Sequence, residues 1–195
     1  MSFFDFTHAA NLNAGRRAFV GQAGWTLTAG ALALLAGRDA MAAQKKSGAD
    51  TAAADVHILN AALAAEHEGI AAYQVGAQSG LLQKPVLDLA LQFQGHHKAH
   101  ADLLAATVRK LGGSPVDARR SYDFPVAQLR TQADVLRFAA SLEQGAVSAY
   151  LGAVPTLEDR ELARAAASIL GDEAMHWAVL RNALGENPVP AAFVG

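Results

Sequence analysis

GHHKAHADLL, residues 95–104, sets three histidines among apolar residues, and GDEAMHWAVL, residues 171–180, repeats its pattern. Aligned without gaps, Gly95 falls on Gly171, His97 on Glu173, His100 on His176 and Leu104 on Leu180. Further upstream, EHEGIAAY (66–73) aligns with EQGAVSAY (143–150), pairing Glu66 with Glu143 and Tyr73 with Tyr150. From the first motif to the second is 31 residues in one half and 30 in the other. Self-similarity at a fixed offset marks a duplicated supersecondary unit. The chain reads as two copies of a helical hairpin.

The apolar periodicity supports this. Leu59, Leu63, Ile70 and Tyr73 form one stripe of a helix over about 55–78, which Gly80 stops. A second helix opens at Pro85, a favourable first-turn residue. It runs to about Leu111 with an inner stripe of Ala90, Phe93, His97, His100, Leu104 and Val108. A stretch of weak periodicity with two prolines, GGSPVDARRSYDFPVAQLR, then joins the halves. So long a connection suits a crossover between two helix pairs. The third helix starts at Thr131, with Asp134 three residues on as a cap partner, and ends before Pro155. The fourth is expected from Thr156 to about Leu184, with the stripe Leu162, Ala166, Ile169, Glu173, His176 and Leu180. Residues 55–185 therefore predict an all-α four-helix bundle, two helical hairpins joined by a long crossover. A polar linker is expected over 44–54 and a short tail over 186–195.

Composition narrows the function. The chain has 195 residues, 52% of them hydrophobic and 17% charged, enough to bury a core. A formal charge of −2 gives no basic footprint for nucleic acid. There is no cysteine, so neither a disulfide nor a thiolate ligand is available. Any metal must be held by His and carboxylate side chains.

Residues three apart on a helix share a face. Glu173 with His176, and His97 with His100, can thus each point at one place, and Glu66 and Glu143 add carboxylates from the other two helices. All six lie on the inward stripes. Ionised carboxylates are costly in a low-dielectric core and repel one another, and a cation compensates both effects. The competing reading is a buried hydrogen-bonded network without metal. His96 falls off the stripe beside Leu89 and Leu103 and reads as a helix-packing or surface residue, with chelation beside His100, four residues on, as the alternative. Tyr73 and Tyr150 read as core aromatics, with hydrogen bonding to the ligands or electron relay as the alternative, and His67 and Glu68 as flanking groups.

The order Glu, (Glu/His)-x-x-His, Glu, Glu-x-x-His on four helices with a crossover resembles the ferritin-like di-iron carboxylate superfamily. The resemblance covers residues from about 55 to 185. It implies that Glu66, His100, Glu143, Glu173 and His176 are metal ligands. His97 stands where the family usually has a bridging Glu. Histidine ligates the same metals but cannot bridge two ions as a carboxylate does, and the exchange removes one negative charge. One or two ions are implied, iron first, with manganese or zinc as alternatives. The implied activity is iron oxidation, or peroxide or oxygen reduction, by an oxidoreductase of the non-haem di-metal type. The alternative is a non-catalytic bundle with a stress or envelope role, so enzymatic activity stays open here.

The first 43 residues are a different text. GRRAFVGQAGWTLTAGALALLAG sets Arg16 and Arg17 before an uncharged stretch, and AMAA (40–43) offers small residues for cleavage. This resembles a twin-arginine export signal. It implies passage through the twin-arginine translocation machinery, a periplasmic or exported mature protein starting near Ala43 or Gln44, and no stable membrane association after cleavage. Retention as an anchor is the alternative. A homodimer is compatible with the pattern but not required by it.

Overall fold

The computed structural model describes residues 48–194; the segment expected to be an export signal, 1–43, lies outside them. The described residues form four α-helices: α1 (Gly48–Gln78), α2 (Lys84–Lys110), α3 (Gln132–Ala153) and α4 (Arg160–Ala183). Short 3-10 turns occupy Val126–Gln128 in the crossover and Val154–Thr156 between α3 and α4. Neighbours in sequence pack as hairpins, α1 on α2 and α3 on α4, and α1 meets α3 between the hairpins. None of the described helices is long and apolar enough to cross a membrane.

Local chemistry explains the helix ends. Thr131 and Asp134 form a full capping box at the start of α3, each side chain accepting from the other residue's backbone N–H. Helices α2 and α4 stop in the same way. Gly112 and Gly185 take left-handed φ values of 81° and 74°. In each case the following N–H reaches back to a carbonyl of the last turn: Gly113 to Val108 and Glu186 to Arg181, both at 2.9 Å.

Two boundaries differ from the sequence expectation. Helix α1 begins at Gly48, inside the stretch expected as linker, because ADTAAAD is rich in the best helix former and Asp50 suits the first turn. Helix α4 begins at Arg160 rather than Thr156. Its cap is Asp159, which accepts from the N–H groups of Glu161 and Leu162. The preceding chain is held by Asp55 of α1, a buried carboxylate that accepts the N–H groups of Glu158 at 3.0 Å and Asp159 at 3.2 Å. Asp55 is thus a tie between hairpins, not a helix start.

The core is split. One apolar cluster centres on Leu63, Leu104, Val108 and Ile169, and a second on Phe93, Leu136 and Leu180. Between them, along every helix, lie the buried carboxylates and imidazoles at Glu66, His97, Glu143, Glu173 and His176. Replacing Asp55 by Ala leaves the two N–H groups before α4 without their acceptor. We expect a loss of about 1–3 kcal/mol, read from the midpoint of urea unfolding at unchanged m-value.

Candidate metal centre

Each helix crosses the gap between the two apolar clusters with a polar side chain. Glu66 comes from α1, His97 and His100 from α2, Glu143 from α3, and Glu173 and His176 from α4. Glu66, Glu143 and Glu173 are at most 2% exposed, so water cannot solvate their charge. The six residues expected from the sequence are brought into one layer.

Their atoms fall into two overlapping groups, Glu66–His97–His100–Glu173 and His97–Glu143–Glu173–His176, with the donor atoms of each within 4.8 Å of one another. Glu173 faces both. Its Oε1 is 3.0 Å from His100 Nδ1, and its Oε2 is 3.5 Å from His176 Nδ1. His176 Nδ1 is also 3.4 Å from Glu143 Oε1. Among the described residues, five buried side-chain atoms have no hydrogen-bond partner: His100 Nδ1, His176 Nδ1, Glu143 Oε2 and both oxygens of Glu173. Buried polar atoms are almost always paired, and orphans carry a penalty of about 1–3 kcal/mol each. Here the orphans are nitrogens and carboxylate oxygens that converge on common centres. That donor set fits a divalent transition-metal ion.

His97 differs from the rest. Its Nδ1–H donates to Glu66 Oε2 at 2.7 Å, and its Nε2 lies 3.3 Å from Glu143 Oε1. Neither nitrogen is orphaned, so the ring already spans two carboxylates from different hairpins. It fits because residue 69 is a glycine, where an added Cβ would come within 3.1 Å of His97 Nδ1.

The tyrosines are not plain core. Tyr150 donates to Glu66 Oε1 at 2.6 Å, and Tyr73 donates to Glu143 Oε1. Each tyrosine serves the glutamate of the other hairpin. The seven-residue Glu–Tyr spacing repeated in both halves was the available signal. His96 packs across to α4 with its ring stacked on that of His176, and its Nδ1 lies 2.9 Å from His176 Nε2. Asp172 is a residue that sequence reasoning missed. Its Oδ2 lies 3.3 Å from His100 Nε2 and from His176 Nε2, on the outward side of both rings. A carboxylate behind a histidine fixes the tautomer, and here it favours a proton on Nε2 and a free Nδ1 facing the layer. Glu68 is buried on the flank of α1, and burial raises its carboxyl pKa.

Without metal, the layer neutralises itself. Burial alone would lower the pKa of His97, but hydrogen bonds to Glu143 and Glu66 outweigh it and push it up to about 11. His100 and His176 rise to about 9 against the same burial, through Glu173 with Glu66 and through Glu143 with Glu173. Burial would raise Glu66 and Glu143, but hydrogen bonds from the imidazoles hold both below the usual carboxylate range. Burial first, then the adjacent carboxylates, raise Tyr73 and Tyr150 well above the ordinary phenol value, which keeps both hydroxyls protonated.

The sign of the pH dependence follows. The three imidazoles start from 6.5 and are raised on folding. Their contribution is complete below pH 6.5 and is lost as pH rises through about 9 and then about 11. Metal must displace these protons, so its own stabilisation grows over the same range. We expect the chelated protein to melt at a lower temperature at about pH 10 than at about pH 7, with a wider gap between loaded and chelated forms, as followed by circular dichroism.

The comparisons with known proteins agree with this geometry. The ferritin-like domain family matches residues 54–186. Among solved structures, a conserved hypothetical protein, rv2844, from Mycobacterium tuberculosis is similar with a TM-score of 0.64 and 26% identity, over 73% of this chain and 99% of that one. No curated protein matches the chain. A family match across all four helices, with the ligand-type residues between two apolar clusters, leads to one conclusion: this chain belongs to the ferritin-like domain family.

Proposed function

We propose that this chain is an exported metalloprotein whose buried layer holds iron, or else manganese, for iron oxidation or the reduction of peroxide or dioxygen. The observation that carries this reading is the convergence of five orphaned donor atoms on Glu173, Glu143, His100 and His176. Export rests on the RR-containing segment of residues 1–43 alone.

In this reading Glu66, His100, Glu143, Glu173 and His176 would hold the metal. A bound redox metal would supply one-electron chemistry: two ferrous ions, as substrate, give one electron each, and one peroxide takes both electrons and two protons to give two waters. The protein's own groups do the rest. Tyr73 and Tyr150 hold Glu143 and Glu66 by their hydroxyls and are the nearest phenolic protons to the layer. An apolar cleft between α1 and α3, lined by Ala62, Ala146 and Ala149, reaches Glu66, Glu143 and His97. It suits a small neutral molecule and disfavours bulk water. His97 sets the charge. Three carboxylates and one imidazolium leave a formal charge of −2, which a single divalent cation cancels. A second cation must displace the His97 proton and leaves a surplus positive charge, so it binds more weakly.

A second reading is a metal-free polar bundle, favoured by the direct 2.7 Å bond between His97 and Glu66 and by the self-neutralising charges. Elemental analysis of protein from its native compartment, and after reconstitution with ferrous iron or manganese, separates the two. We expect about one tightly held ion in the buried layer, oxygen- or peroxide-dependent ferrous oxidation, and loss of that ion and of the oxidation in Glu173→Ala. Sub-stoichiometric metal after reconstitution, with no loss on Glu173→Ala, would establish the metal-free bundle.

A further inference from the structure

The duplicated hairpins bring repeat-related positions face to face, and position 96 meets position 172. His96 Nδ1 lies 3.2 Å from Asp172 Oδ2 and 2.9 Å from His176 Nε2, which is itself 3.3 Å from the same Asp172 oxygen. The three donors stand on the outer side of the His176 ring, whose Nδ1 faces the buried layer. The group is open to solvent. The side chains of His96 and Asp172 are 38% and 23% exposed, against 2% for His176.

The cluster gathers donors around one point. Only one proton can lie between two imidazole nitrogens 2.9 Å apart, so one of them presents a lone pair to the other. Asp172 Oδ2 lies within 3.3 Å of ring nitrogens of His96, His100 and His176. A cation in place of the shared proton draws on His96, Asp172 and His176 together, whose donor atoms lie within 4.8 Å of one another. Bonds of about 2.0–2.1 Å at tetrahedral angles place neighbouring donors about 3.3 Å apart, close to the separations of this triangle. Phe93, stacked on the His176 ring at 4.0 Å between centroids, holds the shared ligand in place.

We propose that His96, Asp172 and Nε2 of His176 form a second, solvent-facing site for a divalent first-row transition cation, separate from the buried layer and joined to it through the His176 ring. The donor set of two imidazoles and a carboxylate selects zinc, cobalt or ferrous iron over calcium or magnesium. Water completes the coordination from the open side. Binding releases the Nε2 proton of His176 to solvent, and with an ion also at Nδ1 the ring becomes an imidazolate shared by two cations. The outer site depends on where His176 points, not on redox activity in the layer.

Zinc binding tests this. The metal-free protein, its His96→Ala, His96→Phe and His96→Asp variants, and Glu173→Ala are titrated with zinc alone by calorimetry, and bound zinc is counted after equilibrium dialysis. Circular dichroism melts confirm that the partly exposed position 96 tolerates each change. We expect His96→Ala and His96→Phe to bind one zinc fewer than the unaltered protein, or to bind that ion at least about tenfold more weakly. His96→Asp, which restores a donor, should recover it. Glu173→Ala should keep the ion that His96→Ala loses, even if the buried layer proves to bind none. Unchanged stoichiometry and affinity in His96→Ala and His96→Phe would overturn the proposal. So would a zinc that disappears in Glu173→Ala but persists in both.

Discussion

Three carboxylates in the dry middle of a helical bundle are the constraint on which everything else here depends. Glu66, Glu143 and Glu173 have almost no exposure to water. An isolated charge in such a place is prohibitively costly, so the surrounding protein must supply positive charge and hydrogen-bond donors. It supplies three imidazoles and two phenols, and that demand shapes the core. Apolar residues withdraw into two clusters, one at each end of the polar layer. The bundle is held by its hydrophobic ends and specified by its polar middle.

The specification is crossed. Tyr73 and Glu66 share α1, yet the tyrosine bonds Glu143 of the other hairpin, and Tyr150 returns the bond to Glu66. His97 adds a third link by spanning Glu66 and Glu143. Sliding one hairpin along the other would break all of these at once, because each partner would move to a different helical turn. Buried polar groups that fix a register in this way are among their best-attested uses.

Most of the fold was legible because helical period, capping pairs and stop glycines are local signals. Thr131 with Asp134, and Gly112 and Gly185, did in space what their spacing announced. The starts of α1 and α4 were not legible. Nothing local to Asp55 tells that its carboxylate will anchor Glu158 and Asp159, more than a hundred residues away. The six residues of the layer were readable from the repeat, since a duplicated pattern places equivalent side chains around a common axis. What a one-dimensional pattern hides is which atom faces which. His97 stood out as the departure from the family pattern, but only the structure shows that its two nitrogens face Glu66 and Glu143. That His96 packs between helices was readable, but not that the ring it packs on is that of His176. Asp172 was in view as the partner of position 96 in the alignment, and its significance appears only when the two hairpins face each other.

That facing arrangement bears on how such a site could arise. Two identical hairpins paired about a twofold axis would be compelled to place the same residue at positions 97 and 173, and the same at 96 and 172. A symmetric ancestor could hold two glutamates or two histidines at the axis, never one of each. Joining the copies in a single chain through the long crossover lifts that compulsion. The His97–Glu173 and His96–Asp172 mismatches are therefore broken symmetry, which two identical copies could not carry and a covalent duplicate can.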